Sequence, residues 1–441
     1  MKSLGLALSF LLGAAGLPAQ APSASPTPSP TPQPVTVVRA SRLFDGTGDR
    51  VVENAVVVVE GSRIKAVGAG LAAPPGSTVL DLQDATLLPG FIDAHTHLTS
   101  QGGENYLQNF FDSLRRTVPE SAYLAQTFAR RTLDAGFTTV RNVGAADDID
   151  VGLRNAIAKG WVAGPRMLVS RYPLGSIGGH CDRTGFPEGT FGPELGPDKG
   201  KVAGADQARQ AVRLQVKYGA DVIKMCVSGG VLSLGDDVAA PQMTDEEIAA
   251  AVDEAHRLGR KTAAHAHGDL AARAAVKAGI DSIEHGSFMT DETLVLMKAR
   301  GTYLVPTLLA GDWVTRPGAD YPPAVAAKAK AAVAVRADMF RRALKNGVKI
   351  AFGTDAGVFP HGGNGREFGL MVDLGMSPAA ALRTVPAAAE LLGLSKEIGT
   401  IQAGKEADIV AVPGNPLSDI HVTEKVFFVM KGGKVWRNDR K

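Results

Sequence analysis

The sequence predicts an α/β protein: a (β/α)8 TIM-like barrel joined to a small β-sandwich domain built from both chain ends. Three observations predict it. Between about residues 88 and 394, helical stretches end at a glycine, a short apolar strand follows, and a polar residue closes the strand. Both chain ends carry β-branched runs instead. Of nine histidines, only His256 and His421 lie away from the middle strand ends or the loops that follow them.

The N-terminus reads as a targeting segment. Lys2 precedes an apolar stretch from Leu4 to Leu17, and Ala19-Gln20-Ala21 offers a small-residue cleavage site. Residues 1–21 are therefore expected to be a signal peptide, with an uncleaved anchor as the alternative. The mature protein is then secreted or periplasmic. Residues 22–34 alternate Pro, Ser and Thr, a composition that builds no core and behaves as an extended linker.

Residues 35–87 and 395–441 read as one composite β domain. Val35-Thr36-Val37-Val38 and Ala55-Val56-Val57-Val58-Val59 are strands, with a turn at Gly61-Ser62-Arg63. At the other end Ala407 to Val412 and Val426 to Met430 are strands, and Gly432-Gly433 is a hairpin turn. Each piece alone is too small for a good sandwich, so the two ends are expected to pair around everything between.

Residues 88–394 carry the repeating units. Helices end at Gly136, Gly219, Gly259, Gly279, Gly301 and Gly347, and a strand follows each. Glycine suits the left-handed position that stops a helix. Thr244 and Glu247 form a capping box for the helix running to Arg260. Strands alternating with helices imply parallel pairing, because parallel strands need crossovers. The strand before His95 and the one at 165–170 bring the count to eight. Eight such units close into a barrel whose active site lies at the C-terminal strand ends.

Those ends hold the candidate chemistry. His95 and His97 are two residues apart, so in a strand both imidazoles face one side. Alone, the pair is weak evidence for a metal and reads first as surface histidines at a loop. With Lys224, His265, His285 and Asp355 closing later strands, it reads as a site for Zn2+ or a similar divalent ion. Two cysteines, Cys181 and Cys226, exclude a disulfide scaffold and a thiolate zinc site. Whether they are joined or free stays open at this point. A net charge of +2 gives no reason to expect nucleic acid or an anionic membrane as partner.

Pro89 to His97 resembles the signature of the amidohydrolase superfamily of metal-dependent hydrolases. Gly219 to Lys224, Ala264-His265-Ala266-His267-Gly268, Ser282 to Gly286 and Gly353-Thr354-Asp355 match its other motifs in order. The resemblance spans the mature chain. It is nearest to the binuclear branch of Xaa-Pro and Xaa-Arg dipeptidases and ochratoxin-hydrolysing amidases, on Gly178 to Asp182 and Pro360 to Asn364. One departure is Ala387, where relatives usually carry Asn; Pro386 beside it suggests a helix start.

The resemblance implies two divalent metal ions, with Zn2+ the expected species, and a carbamate formed from CO2 on Lys224 that bridges them. An ordinary lysine ammonium repels a metal, so the alternative is Lys224 paired with an acid such as Asp221. By the same resemblance His95, His97 and Asp355 hold one metal and His265 and His285 the other. A hydroxide shared by the metals attacks, and Asp355 moves its proton to the leaving amine. His267 is expected to touch substrate or orient a ligand, and competes with His265 for the fifth-strand position. His180 is expected to donate to the developing oxyanion. Tyr218, His361 and Asn364 are candidates for the substrate carboxylate or amide.

The function expected is hydrolysis of an amide bond to a C-terminal amino acid, in a dipeptide, an N-acyl amino acid or a substrate of the ochratoxin A type. The same site suits a lactonase, a phosphotriesterase-like enzyme or a cyclic-imide hydrolase. An exported metal-binding protein without turnover is the reading from another class. The expected partner is a small-molecule amide or peptide, with no membrane after signal removal, and the resemblance implies a homo-oligomer.

Overall fold

The computed structural model describes residues 33–103 and 105–440, so the expected signal peptide and nearly all of the linker lie outside the described residues. The β-branched runs form the first sheet. Val35–Leu43 pairs antiparallel with Val52–Glu60, which turns at Gly61-Ser62 and pairs with Arg63–Ala69. Ala85–Pro89 lies parallel to the end of Val35–Leu43 and antiparallel to Ile409–Pro413 from the other end of the chain. Phe428–Lys431 and Lys434–Asn438 complete the sheet, joined at Gly432 and Gly433 with φ of 55° and 74°. Hydrogen bonding runs through all eight strands, including Thr78–Asp81. Val38, Val57, Ile64, Leu87, Ile409 and Phe428 form its core. Two chain ends thus bury apolar surface that neither could bury alone.

Ala85–Pro89 passes through Gly90 into the first barrel strand, Phe91–Thr96. A Cβ at Gly90 would sit 2.3 Å from Thr138 Oγ1, so only glycine allows this junction. Phe91–Thr96 pairs parallel with Phe137–Asn142, which pairs with Arg166–Val169. Val222–Cys226, Lys261–Ala266, Ser282–His285 and Tyr303–Val305 continue in parallel order. All six helix-stopping glycines have positive φ, from 69° to 104°. The capping box of Thr244 and Glu247 is formed at the head of Asp245–Arg257.

Two barrel positions are irregular. The third strand is split at Arg171, whose φ is 58°. Arg166–Val169 stays with the second strand, while Leu174–Ser176 bonds to Val222–Cys226. The eighth, 348–355, makes isolated bridges rather than a regular strand. It still closes the barrel: Ala94 N donates to Phe352 O at 2.9 Å, and Ala351 N to Leu304 O at 3.0 Å. Phe91, Phe137, Phe352 and Phe368 pack with ring centroids 4.3 to 5.4 Å apart. Pro386 lies inside the helix Pro378–Leu391 instead of starting one; Ser377 caps that helix.

Candidate metal centre

Alternation along the first barrel strand aims His95 and His97 at one point. Their Nε2 atoms lie 3.4 and 3.3 Å from Asp355 Oδ1, which arrives from the eighth segment. His265, His267 and His285 form a second group. Within each group the ligand atoms lie within 4.8 Å of one another. The groups are adjacent, since the His95 and His285 rings are 5.1 Å apart. His285 and Asp355 have φ of 70° and 63°, a strained region for these residues. Such strain persists where surrounding structure enforces it, and it collects at functional sites.

Each imidazole has its second nitrogen or its ring held. His95 Nδ1 meets Glu284 Oε2 at 2.7 Å, His285 Nδ1 meets Thr307 Oγ1 at 2.7 Å, and His267 Nδ1 meets Ser287 Oγ at 2.8 Å. These bonds leave Nε2 for the centre and orient the rings. His265 is held from the other side: its Nε2 meets Gly229 O at 3.0 Å. His265 and His267 therefore both reach the site, rather than one excluding the other.

Lys224 is buried, lines the same cavity, and has no hydrogen-bond partner among the described residues. Asp221, its alternative partner, is instead held by Arg154 at 2.6 Å. Burial pushes the Lys224 ammonium down to about 8, which raises the share of neutral amine near neutral pH. Burial holds His265 and His285 well below the usual imidazole range. For Asp355, burial pushes upward, but His95 and His97 overcome it and hold the carboxyl well below the carboxylate range. Neutral His265 and His285, the ionised Asp355 and the adjacent His95 and His97 make a nitrogen- and oxygen-donor set that fits divalent cations in two neighbouring groups.

The centre opens into a cavity of about 450 Å3. His97, His180, His267 and Asp355 line it, with Phe110, Val231, Leu232 and Val314 among its apolar lining. Cys226, two residues beyond Lys224, forms a disulfide with Cys181, so the loop carrying His180 is tied to the fourth strand.

Three expected substrate contacts are elsewhere. Tyr218 caps the helix Ala205–Lys217, half exposed, with the Arg171 guanidinium 5.0 Å from its ring. A residue ending a helix lies at the N-terminal end of the next strand, opposite the centre. His361 does not line the cavity; its Nε2 meets Ser100 O at 2.8 Å and its ring stacks on Phe128 at 4.9 Å. It braces the loop behind His97. Asn364 is fully buried and donates to Asp93 Oδ2 at 2.8 Å, so it shapes the eighth segment rather than binding substrate.

Sequence reasoning missed Glu284 and Arg141. Both are buried, and Arg141 Nη2 donates to Glu284 Oε1 at 2.9 Å. Burial raises the Glu284 carboxyl, but Arg141 and His95 pull it down to about 2. The available signal was a charge of each sign inside two apolar barrel strands, where an unpaired charge is too costly to bury.

The sequence profile of the Amidohydrolase family matches residues 86–436. The ochratoxinase of Aspergillus niger is 33% identical over 427 residues, covering 91% of this chain and 87% of that protein. A crystal structure of a Xaa-Pro dipeptidase with bound methionine superposes with a TM-score of 0.88 at 38% identity, covering 92% of this chain and all of that one. A prolidase complexed with N-methylphosphonate-L-proline superposes with a TM-score of 0.84 at 30% identity, over 92% of this chain and all of that one. The chain belongs to the amidohydrolase family and is a hydrolase of C–N bonds.

Proposed function

We propose that this enzyme cleaves an amide whose amine side is an amino acid with a free carboxylate. A dipeptide, an N-acyl amino acid or a substrate of the ochratoxin A type fits that description. One observation carries the reading: members of two histidine-rich groups and a buried Lys224 line one largely apolar cavity of about 450 Å3. Likeness to an ochratoxinase, a Xaa-Pro dipeptidase and a prolidase supports it.

His95, His97 and Asp355 would hold one cation, His265 and His285 the other, with a carbamate on Lys224 between them. Zn2+ suits these ligands. When bound, such a pair supplies Lewis acidity and lowers the pKa of a water. The protein supplies the rest. Asp355 has an oxygen with no hydrogen-bond partner among the described residues, so it can take a proton there and return it to the leaving amine. His267, fixed by Ser287, presents Nε2 to the cavity beside it. The apolar wall excludes water from the acyl or side-chain part of the substrate.

The Cys181–Cys226 disulfide suits an oxidising compartment, which supports export through the N-terminal segment. Leu107, Phe111 and Leu114 are exposed along one face of the helix Tyr106–Arg115, which supports a homo-oligomer.

Metal-loaded protein assayed against amides with free and capped carboxylates, a lactone and a phosphotriester tests the reading. Hydrolysis of the free-carboxylate amides above the others is expected. Preference for the lactone or phosphotriester transfers the assignment to that chemistry. No turnover of any by fully metallated protein leaves only metal binding.

A further inference from the structure

The loop after the fourth strand is built around the His180 ring. A Cβ on Gly230 would lie 2.1 Å from His180 Nδ1 and Cε1, so the ring rests directly against bare backbone. Its other side stacks on His265, with centroids 4.2 Å apart and planes 24° apart. His180 N donates to Gln242 Oε1 at 2.8 Å, which sets the loop at that residue.

His180 Nδ1 lies 2.9 Å from Ser233 Oγ, and Ser233 Oγ lies 2.8 Å from both oxygens of Asp236. Asp236 is ionised, because Lys328 Nζ donates to it at 2.7 Å, Gln242 Nε2 at 3.1 Å and Gly230 N at 3.1 Å. A serine hydroxyl has one proton. The acceptors around it are the Asp236 carboxylate at 2.8 Å and Gly230 O at 3.1 Å, and the carboxylate is the stronger, so toward Nδ1 the serine oxygen can only accept. The proton on His180 is thereby assigned to Nδ1, and Nε2 is the ring nitrogen without a partner among the described residues, on a residue that lines the cavity.

We propose that Ser233 and Asp236 are positioning residues that lock His180 in one tautomer, with Nε2 presented to the substrate as a hydrogen-bond acceptor. Its partner is then an N–H or O–H donor of the substrate. This reverses the donor role expected from sequence, in which the same ring was to face an oxyanion. It rests on the proposed function only for the statement that the cavity is where substrate binds; the tautomer follows from the side chains alone.

Holoenzyme labelled with 15N-histidine tests it. Comparison with the H180N variant assigns the ring signals. A protonated Nδ1 and bare Nε2 are expected, shifting toward protonated Nε2 in Ser233→Ala and returning in Ser233→Thr, which keeps the hydroxyl. On a turned-over amide, Ser233→Ala and Asp236→Asn are expected to lower kcat roughly 10- to 100-fold with metal content unchanged. Ser233→Thr is expected to restore it. Protonated Nε2 in the parent protein, or a tautomer unmoved by Ser233→Ala, overturns the proposal. If no amide is turned over, the functional reading fails while the spectra still decide this one.

Discussion

Glu284 accepts from His95 Nδ1 at 2.7 Å with one oxygen and from Arg141 at 2.9 Å with the other. Ser282 Oγ adds a third contact at 2.5 Å. One buried carboxylate therefore fixes the tautomer of a metal-facing histidine and neutralises a guanidinium in the barrel wall. Glu284→Gln is expected to weaken metal binding roughly 10- to 100-fold, because the ring loses its charged orienting partner. It is also expected to destabilise the fold by about 3 kcal/mol, because Arg141 stays buried without its counter-ion. Metal titration and thermal unfolding of the apo protein read the two effects separately. Unchanged metal affinity would detach Glu284 from the centre.

Lys224→Ala tests the bridge. Bound metal is expected to fall below two ions per chain and activity to drop about 100-fold or more, since several kcal/mol of charge stabilisation are lost. In the parent protein, a carbamate carbon is expected in the 13C spectrum after incubation with labelled bicarbonate. A Lys224→Ala protein with two metals and full activity would falsify the bridging role.

The Cys181–Cys226 disulfide closes a loop with a sequence separation of 45. Loop entropy assigns it about 4 kcal/mol of stability. Replacing both cysteines by alanine is expected to lower Tm and, because His180 adjoins Cys181, to lower kcat as well. Full kcat in the folded double variant would mean that Gly230 and Gln242 position the loop unaided.

Acid stability has a named contributor. Arg213 meets Glu254 Oε1 at 2.7 Å and so joins the helices Ala205–Lys217 and Asp245–Arg257, while Arg257, one turn further along Glu254's own helix, meets Oε2 at 2.9 Å. The Arg213 hydrogen bond pulls the Glu254 carboxyl from 4.5 down to about 2. A depressed carboxylate contributes stability above its unfolded pKa and loses it as pH falls. The window therefore runs from about pH 4.5 down to about pH 2. Both guanidiniums reach solvent, so screening leaves about 1 kcal/mol. In urea titrations, Glu254→Gln is expected to flatten the decline between pH 5 and 3 by about that amount. An equally steep decline in the variant would place the acid sensitivity elsewhere.

Much of this architecture was legible because it is periodic. Glycine after each helix, a strand, then a polar residue is a pattern that local physics writes into sequence. His95, His97, Lys224, His265, His285 and Asp355 could be singled out because they end those strands. What was not legible depends on contacts across the barrel. Glu284 sits beside a ligand and resembles an ordinary strand-end acid until Arg141 is seen opposite it. Tyr218 was misplaced although the barrel rule itself excludes it, since a helix C-terminus faces the other end. His361 and Asn364 come from the segment that carries the resemblance, and the structure bonds them to Ser100 and Asp93 and leaves both out of the cavity lining. The break at Arg171 follows from a left-handed residue that no local motif marks.

The strand Ala85–Pro89 finds its neighbour Ile409–Pro413 only after the whole barrel has been made, with Thr86 bonding across 328 residues to Gly414. A ribosome still holding the last few dozen residues therefore holds back the strands that complete the sheet at the N-terminal end of the first barrel strand. Synthesis order makes the catalytic body the waiting part and the C-terminus the latch. A stop codon that removes only the final three strands should yield an insoluble product rather than a weakened enzyme.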